Sequence, residues 1–213
     1  MATPKGKGKA RLFQNPVLEA LTRTHPVIIM SIYIPLSVLL LYHYHAVINP
    51  QWGQLAAWFA GGMFTWTLAE YCIHRFIFHF PAQSRRGKRI VYLLHGVHHE
   101  YPRDKERLIM PPVPSIVLAT FFFVLFRSIM GNHVYAFLPG FIIGYLMYAS
   151  VHYAMHLFRP PRGLSWLWRL HHLHHFKYPN KIFGVSTPLW DALFGTLPAK
   201  KEYLHPRKQI HSP

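Results

Sequence analysis

Two long uncharged stretches dominate the hydrophobic pattern of the chain. From Thr24 to Ala69 there is no Asp, Glu, Lys or Arg, a run about twice the roughly 20 residues that a helix needs to cross a bilayer. Asn49-Pro50-Gln51-Trp52-Gly53 interrupts it with a turn signal, which predicts a helical hairpin with helices near 27–48 and 54–73. Between Leu108 and Phe158 the only charged residue is Arg127, close enough to a helix end to snorkel. Gly131-Asn132-His133 reads as a tight connection there, so a second pair is predicted near 113–130 and 134–157. Uncharged runs of this length suit lipid better than the interior of a soluble bundle. The expected fold class is an all-α integral membrane protein with four transmembrane helices and a cytoplasmic helical cap. Its domain is expected over 27–204, with polar segments 74–112 and 158–204, a basic segment 1–26 before it and a tail 205–213 after it. Residues 1–11 and 205–213 read as polar tails.

Charge sets the expected orientation. Lys and Arg number 23 against 7 Asp and Glu, in a chain that is 51% hydrophobic. Apart from Arg127, every Lys and Arg lies in 1–23, 75–107 or 159–213. The positive-inside bias then puts both termini and both polar segments in the cytoplasm, for a multi-pass protein of a bacterial inner membrane or the endoplasmic reticulum. The same placement makes the basic excess a lipid-facing surface rather than a nucleic-acid site, and no stack of aromatics interleaved with Arg argues otherwise. Lys5, Lys7, Lys9 and Arg11 precede the first apolar run as in a signal peptide, but no small-residue cleavage pattern follows near His43 to Asn49. The first helix is therefore kept. The single Cys72 falls in the second helix and excludes a disulfide framework or a Cys-based zinc site.

Histidine carries the chemistry. Of 17 histidines, ten fall into four patterns: His74 and His79; His95, His98 and His99; His152 and His156; His171, His174 and His175. On the expected topology all four lie on the cytoplasmic side. Positions i, i+3 and i+4 share a helical face, so each H-x2-H-H aims three imidazoles at one place, and His152 and His156 stack one turn apart. His74 and His79 are about 140° apart on an ideal helix and converge only if the helix bends or ends between them, or if they flank a metal. Ten imidazoles are too many for one ion and suit two ions of about five ligands each, with Fe, Zn, Cu and Ni all open on ligand type. The remaining His25, His43, His45, His133, His205 and His211 read as interfacial or tail residues, and His172 is out of the ligand phase of its cluster. Glu70, Glu100, Asp104 and Asp191 are candidates for carboxylates that accept the second N–H of a ligating ring.

The four patterns resemble the membrane fatty acid hydroxylase and sterol desaturase superfamily, and within it the fatty acid 2-hydroxylases. The likeness rests on Glu70-Tyr71 with His74-Arg75-Phe76 and Phe78-His79-Phe80, and on Leu94-His95-Gly96-Val97-His98-His99-Glu100-Tyr101-Pro102 followed by Asp104 and Met110-Pro111-Pro112. Phe183-Gly184-Val185-Ser186, Trp190-Asp191 and Phe194-Gly195-Thr196 extend it, so that it spans roughly residues 60–197. The resemblance implies a monooxygenase that hydroxylates C2 of a long acyl chain, free or amide-linked in a sphingolipid. It further implies two Fe ions held by the ten histidines, with Zn able to substitute in a purified sample, and O2 as co-substrate. Tyr101, Tyr153, Trp166, Trp168 and Phe183 are candidates for a substrate groove. Nothing in residues 1–26 resembles the cytochrome b5 domain that many eukaryotic members carry, so the expected electron donor is a separate cytochrome b5-like or ferredoxin-like protein or a reductase.

Three other readings are weaker. A carotenoid hydroxylase or sterol desaturase would use a similar histidine set but not the G-V-H-H-E-Y-P and M-P-P stretches. A metal transporter would place ionisable groups near the bilayer midplane, where this chain has none. A structural zinc protein would need about four ligands, not ten.

Overall fold

The computed structural model describes residues 8–204, so residues 1–7 and the expected tail 205–213, with His205 and His211, lie outside the described residues. The described chain is helical throughout, with no strand. After a short α1 (Pro16–Ala20), α2 (Pro26–His43) starts on a proline, with His25 Nδ1 accepting from the Val27 N–H at 3.3 Å. Proline at the first helical position gives up no bonded N–H and presets φ. A π turn (Tyr44–Ile48) ends this first long helix, and α3 (Trp52–Cys72) runs on into a second π turn (Ile73–Phe78). Then come α4 (Arg85–Val91), a third π turn (Tyr92–Gly96) and α5 (Val97–Glu100). The long α6 (Pro112–Met130) begins at the second proline of Met110-Pro111-Pro112, and α7 (Val134–Leu157) follows a three-residue turn. The chain finishes in α8 (Ser165–Phe176), α9 (Leu189–Leu193) and α10 (Lys200–Tyr203).

Helix α7 is the axis of the bundle and packs against α3, α2 and α6. Its contact with α3 depends on small residues. A Cβ added at Gly62 would sit 2.0 Å from the Phe137 carbonyl oxygen, and one at Gly140 would sit 1.9 Å from that of Phe59. Gly140 and Gly144 are four apart on α7, the small-xxx-small spacing that lets membrane helices approach backbone to backbone. Around this seam Trp66, Phe126, Phe137, Phe141, Ile142 and Leu146 form the buried core. Large apolar side chains such as Leu39, Val117, Val124 and Ile129 face outward instead. Two stretches, Pro26–Ile48 and Lys105–Leu157, contain helices long and apolar enough to cross a membrane.

The two ends of the bundle differ in chemistry. At the end formed by the C-terminus of α2 and the start of α7, His133 stacks on Trp58 at 4.7 Å, His45 on Trp52 at 3.9 Å, and His43 meets Tyr135 edge-on at 4.9 Å. The Arg127 guanidinium lies over the Tyr135 ring there, 5.9 Å from its centroid. The opposite end carries the four histidine patterns and the segments between them. The N-terminal segment also differs from expectation. The sequence predicts a polar tail through residue 11, yet Ala10 is buried and its carbonyl accepts from Arg107 Nη2 at 3.1 Å. The buried guanidinium explains this, because Glu19 (2.6 Å) and the Thr22 hydroxyl (2.7 Å) also come from the segment to satisfy it.

Candidate metal centre

Convergence of His74 and His79 has a local cause. The helix does not end between them but widens: the His79 N–H bonds to the His74 carbonyl at 3.1 Å, an i→i+5 bond, within the π turn that continues α3. A turn closed this way brings residues five apart onto one face. The π turn Tyr92–Gly96 likewise precedes α5, which presents His98 and His99, while His152 and His156 sit in the last turns of α7 and His171, His174 and His175 on α8. The ten imidazoles sort into two groups: His74, His79, His95, His99 and His174, and His98, His152, His156, His171 and His175. In each group the candidate ligand nitrogens all lie within 4.8 Å of one another.

The tautomers follow from the carbonyls around the site. His74 Nδ1–H donates to the Phe183 carbonyl (2.6 Å), His152 Nδ1–H to that of Leu108 (3.0 Å) and His174 Nδ1–H to that of Lys181 (2.6 Å). A neutral ring has one N–H, so Nε2 of each carries a lone pair. Those Nε2 atoms face other Nε2 atoms at 3.0 Å (His74 to His95, His152 to His98) and 3.2 Å (His174 to His99). Nitrogens brought this close, three of them with a lone pair fixed by a carbonyl on the other side of the ring, are placed to share a cation. Burial, and then the charge of neighbouring imidazoles, holds His95, His98, His99, His171 and His175 well below the ordinary histidine pKa. Burial also lowers His174, to about 4, against the opposing pull of the Lys181 carbonyl. Rings held neutral with free lone pairs are the form that ligates metal. Each group is an all-nitrogen donor set and fits a divalent transition metal.

Two of the candidate carboxylates brace the loop that faces the site. Asp191 is buried and accepts from the N–H groups of Phe183 (2.8 Å) and Gly184 (2.7 Å) and from the Thr196 hydroxyl (2.6 Å). Burial raises its pKa, and these donors oppose the rise. Glu70 accepts from the N–H groups of Val185 (2.5 Å) and Ser186 (2.9 Å) and from the Ser186 hydroxyl. Neither touches an imidazole; both hold the backbone whose Phe183 carbonyl orients His74. Between the Lys181 and Phe183 carbonyls, Ile182 adopts φ +63°, a left-handed conformation that a β-branched side chain rarely takes. Glu100 instead accepts from the Tyr92 hydroxyl (2.6 Å), and Asp104 lies 3.5 Å from Arg107 Nε, toward the N-terminal segment. His172 is exposed and bonds the Trp168 carbonyl at 2.7 Å, outside both groups.

A cavity of about 320 Å³ opens on the centre. His74 and His95 of one group and His98 and His152 of the other line it, and it continues between α3, α6 and α7 past Tyr148, Tyr145, Trp66, Phe122 and Phe141 to Leu138. At the helical rise, Leu138 lies about 20 Å along α7 from His152. Of the groove candidates, Tyr101, Tyr153, Trp166, Trp168 and Phe183 are all absent from its wall. Phe183 packs its ring 5.5 Å from that of His79, Trp168 donates to the Phe158 carbonyl at 3.1 Å, and Tyr153 meets His25 edge-on at 6.4 Å. Trp166 packs in the apolar cluster under α8, and Tyr101 follows α5 half-buried. The lining residues were accessible to sequence reasoning: Trp66, Glu70 and His74 are spaced by four, and Tyr145, Tyr148 and His152 by three and four. Each set continues a ligand face down into an apolar helix.

Comparison with known proteins agrees with this architecture. A fatty acid hydroxylase family model matches residues 59–196. The chain is 36% identical over 210 residues to a fatty acid 2-hydroxylase of Rattus norvegicus, covering 88% of this chain and 56% of that protein. It is 39% identical over 150 residues to a dihydroceramide fatty acyl 2-hydroxylase of Arabidopsis thaliana, covering 70% and 62% respectively. A solved structure of full-length scs7p, with only the hydroxylase domain visible, superposes with a TM-score of 0.84 at 35% identity, covering 91% of this chain and 74% of that one. The fold and the histidine groups define a helical protein with a histidine-rich centre able to hold metal. The chain belongs to the fatty acid hydroxylase family. It spans less than two thirds of the length of the two curated relatives just described.

Proposed function

We propose that the protein is a membrane monooxygenase that hydroxylates C2 of a long-chain fatty acyl group, free or in a ceramide. The observation that carries this reading is the apolar cavity whose wall includes histidines of both groups. A lipid chain lying in it would bring one carbon to the junction of the groups while its tail stays out of water. The relatives named as 2-hydroxylases support C2 as that carbon.

In this reading the two groups each hold one iron ion, with zinc able to take the same place. His74, His79, His95, His99 and His174 serve one, and His98, His152, His156, His171 and His175 the other. When bound, the iron pair supplies the activation of O2 that attack on an unreactive C–H bond requires. The reaction consumes one O2, two electrons and two protons, converting the C2–H bond to C2–OH and releasing one water. The electrons come from a separate donor: a cytochrome b5-like or ferredoxin-like protein or a reductase. The chain's own residues position and exclude. Carbonyls of Phe183, Leu108 and Lys181 fix three imidazoles, Asp191 and Glu70 hold the loop that carries the first of these, and Tyr148 stacks on His152 at 5.7 Å against the cavity. The apolar wall keeps water from the reacting carbon.

The fatty acid hydroxylase domain covers 27–204 and crosses the bilayer four times, with segments 74–112 and 158–204 forming the cap. Helices α2, α3, α6 and α7 are about 27 to 36 Å long at 1.5 Å per residue, against a hydrocarbon core of about 30 Å. Both termini and the metal centre face the cytoplasm, as the distribution of Lys and Arg indicates. Expression with a matched reductant supply, followed by lipid mass spectrometry and metal analysis, tests the reading. The expected result is 2-hydroxy acyl lipid and about two iron ions per chain, both lost in His98→Ala and His174→Ala. Unchanged acyl chains with hydroxylated carotenoids or altered sterols would reject it.

A further inference from the structure

The segment that joins α3 to the histidines of α5 carries a cluster of positive charge that no acidic group among the described residues neutralises. Arg85, Arg86, Lys88 and Arg89 of α4 are all exposed. Lys88 and Arg89 stand three and four residues after Arg85, the spacings at which like charges oppose a helix. Arg85 and Arg86 also fill the first turn, where the helix dipole disfavours cations. The chain has seven Asp and Glu, and each is engaged elsewhere. Glu19 and Asp104 lie against Arg107, Glu106 against Lys9 and Arg23, and Glu202 against Lys177. Glu70 and Asp191 hold the backbone of 183–186, and Glu100 accepts from the Tyr92 hydroxyl. A helix so charged is incomplete without an anionic partner from outside the chain.

We propose that these four cations bind the phosphates of anionic phospholipids, which hold α4 in the headgroup layer as boundary lipids and not as substrates. The proposal rests on the bilayer-spanning part of the function proposed above and adds a ligand that the reaction does not use. Depth supports it. The 21 residues of α3 measure about 30 Å, the thickness of the hydrocarbon core, so the chain beyond Cys72 emerges among headgroups. The neighbouring side chains favour a lipid surface over an acidic protein. Phe76 and Phe80 before α4, and Ile90 and Leu94 in α4 and the π turn after it, are between 42% and 57% exposed. Cations set among exposed large apolar groups mark a segment that lies in a membrane interface. The apolar groups enter the acyl boundary while the long basic side chains reach the phosphates. Leu94 also lines the cavity, which puts the bound headgroups beside the cavity mouth.

Native mass spectrometry of the full chain released from nanodiscs of mixed phosphatidylglycerol and phosphatidylcholine tests this without turnover. Phosphatidylglycerol is expected to be enriched among the lipids retained on the native protein. Each single replacement, Arg85→Gln, Arg86→Gln, Lys88→Gln or Arg89→Gln, is expected to cut the enrichment up to about fivefold, the weight of one cation at an anionic surface. The four together should abolish it. Arg85→Lys, Arg86→Lys and Arg89→Lys combined keep the charge and should keep the enrichment. Arg159→Gln, Arg162→Gln, Lys200→Gln and Lys201→Gln combined remove equal charge from other exposed positions and should keep it too. No enrichment on the native protein, or equal loss in both fourfold Gln variants, would overturn the proposal. An acidic ferredoxin added to the same nanodiscs is the second probe. If it binds through α4 and phosphatidylglycerol is not enriched, the patch belongs to the electron donor and the proposal fails. A chain recovered outside the nanodisc would reject the spanning reading itself, whereas a chain held in the disc without enrichment overturns this proposal alone.

Discussion

At the level of single residues, function here depends on which atom of each imidazole is free. The Nδ1–H of His74, His152 and His174 is spent on backbone carbonyls, which leaves Nε2 of each for a metal. Replacing Asp191 by Ala unpins the Phe183 and Gly184 N–H groups and with them the carbonyl that orients His74. Metal affinity is expected to fall about 10- to 100-fold, the usual cost of losing such support, read as metal content after dialysis against a chelator. His172→Ala should leave metal content unchanged, since that ring is exposed and turned to the Trp168 carbonyl. The buried histidines also couple stability to pH. His174 has a folded pKa of about 4 against an ordinary 6.5, so the unfolded chain takes up its proton first as pH falls. Stability of the metal-free protein is expected to be full above about pH 6.5 and to decline toward pH 4. Thermal unfolding across that range checks this, and a midpoint that rises on acidification would contradict it.

At the level of elements, helix lengths and faces were readable while helix irregularities were not. The apolar runs anticipated α2, α3, α6 and α7 to within a few residues, because uncharged length is a property of sequence alone. The π turn at Ile73–Phe78 could not be read this way, since residues five apart diverge on the ideal helix that periodicity assumes. The groove was sought among aromatics of the polar segments and at Tyr153 near the end of the fourth predicted helix. Its wall instead comes largely from Trp66, Tyr145, Tyr148 and other residues inside the long helices, where an aromatic looks like ordinary packing. Nor does a glycine announce its reason: Gly140 matters because the Phe59 carbonyl occupies the place of its missing Cβ. Gly140→Leu should force α3 and α7 apart and destabilise the protein by about 1–3 kcal/mol or more, the range for overpacking. A lowered melting temperature in detergent measures it, and an unchanged one would refute the seam.

The whole molecule joins a bundle whose outward-facing residues are apolar to a histidine-rich end closed by three separate segments. The N-terminal segment belongs to that closure. Leu12, Leu21 and Thr22 contribute to the cavity wall, and Glu19 reaches Arg107 at 2.6 Å with both side chains nearly buried. Desolvation alone would raise the Glu19 pKa. The N–H groups of Phe13 and Leu12, then Arg23 and Arg107, outweigh it and hold the carboxyl at about 2. Arg107→Ala removes one partner of that carboxylate and the guanidinium that binds Thr22 and the Ala10 carbonyl, while the Phe13 and Leu12 N–H groups and Arg23 still hold Glu19. The expected readout is faster proteolysis between residues 8 and 25, with unchanged cleavage as the contrary result. The sequence reads residues 1–26 only as a basic segment, because a buried ion pair between residues 88 apart leaves no periodic trace.

The central claim is that the paired histidine groups serve insertion of one oxygen atom at C2 of an acyl chain lying in the cavity. Turnover under 18O2 with the full chain in nanodiscs, a reductant supply and a dihydroceramide of defined acyl length tests it directly by tandem mass spectrometry. One 18O atom at C2, absent from His98→Ala, is the predicted result. Label at any other carbon, or a 2-hydroxyl group whose oxygen comes from water, would contradict it.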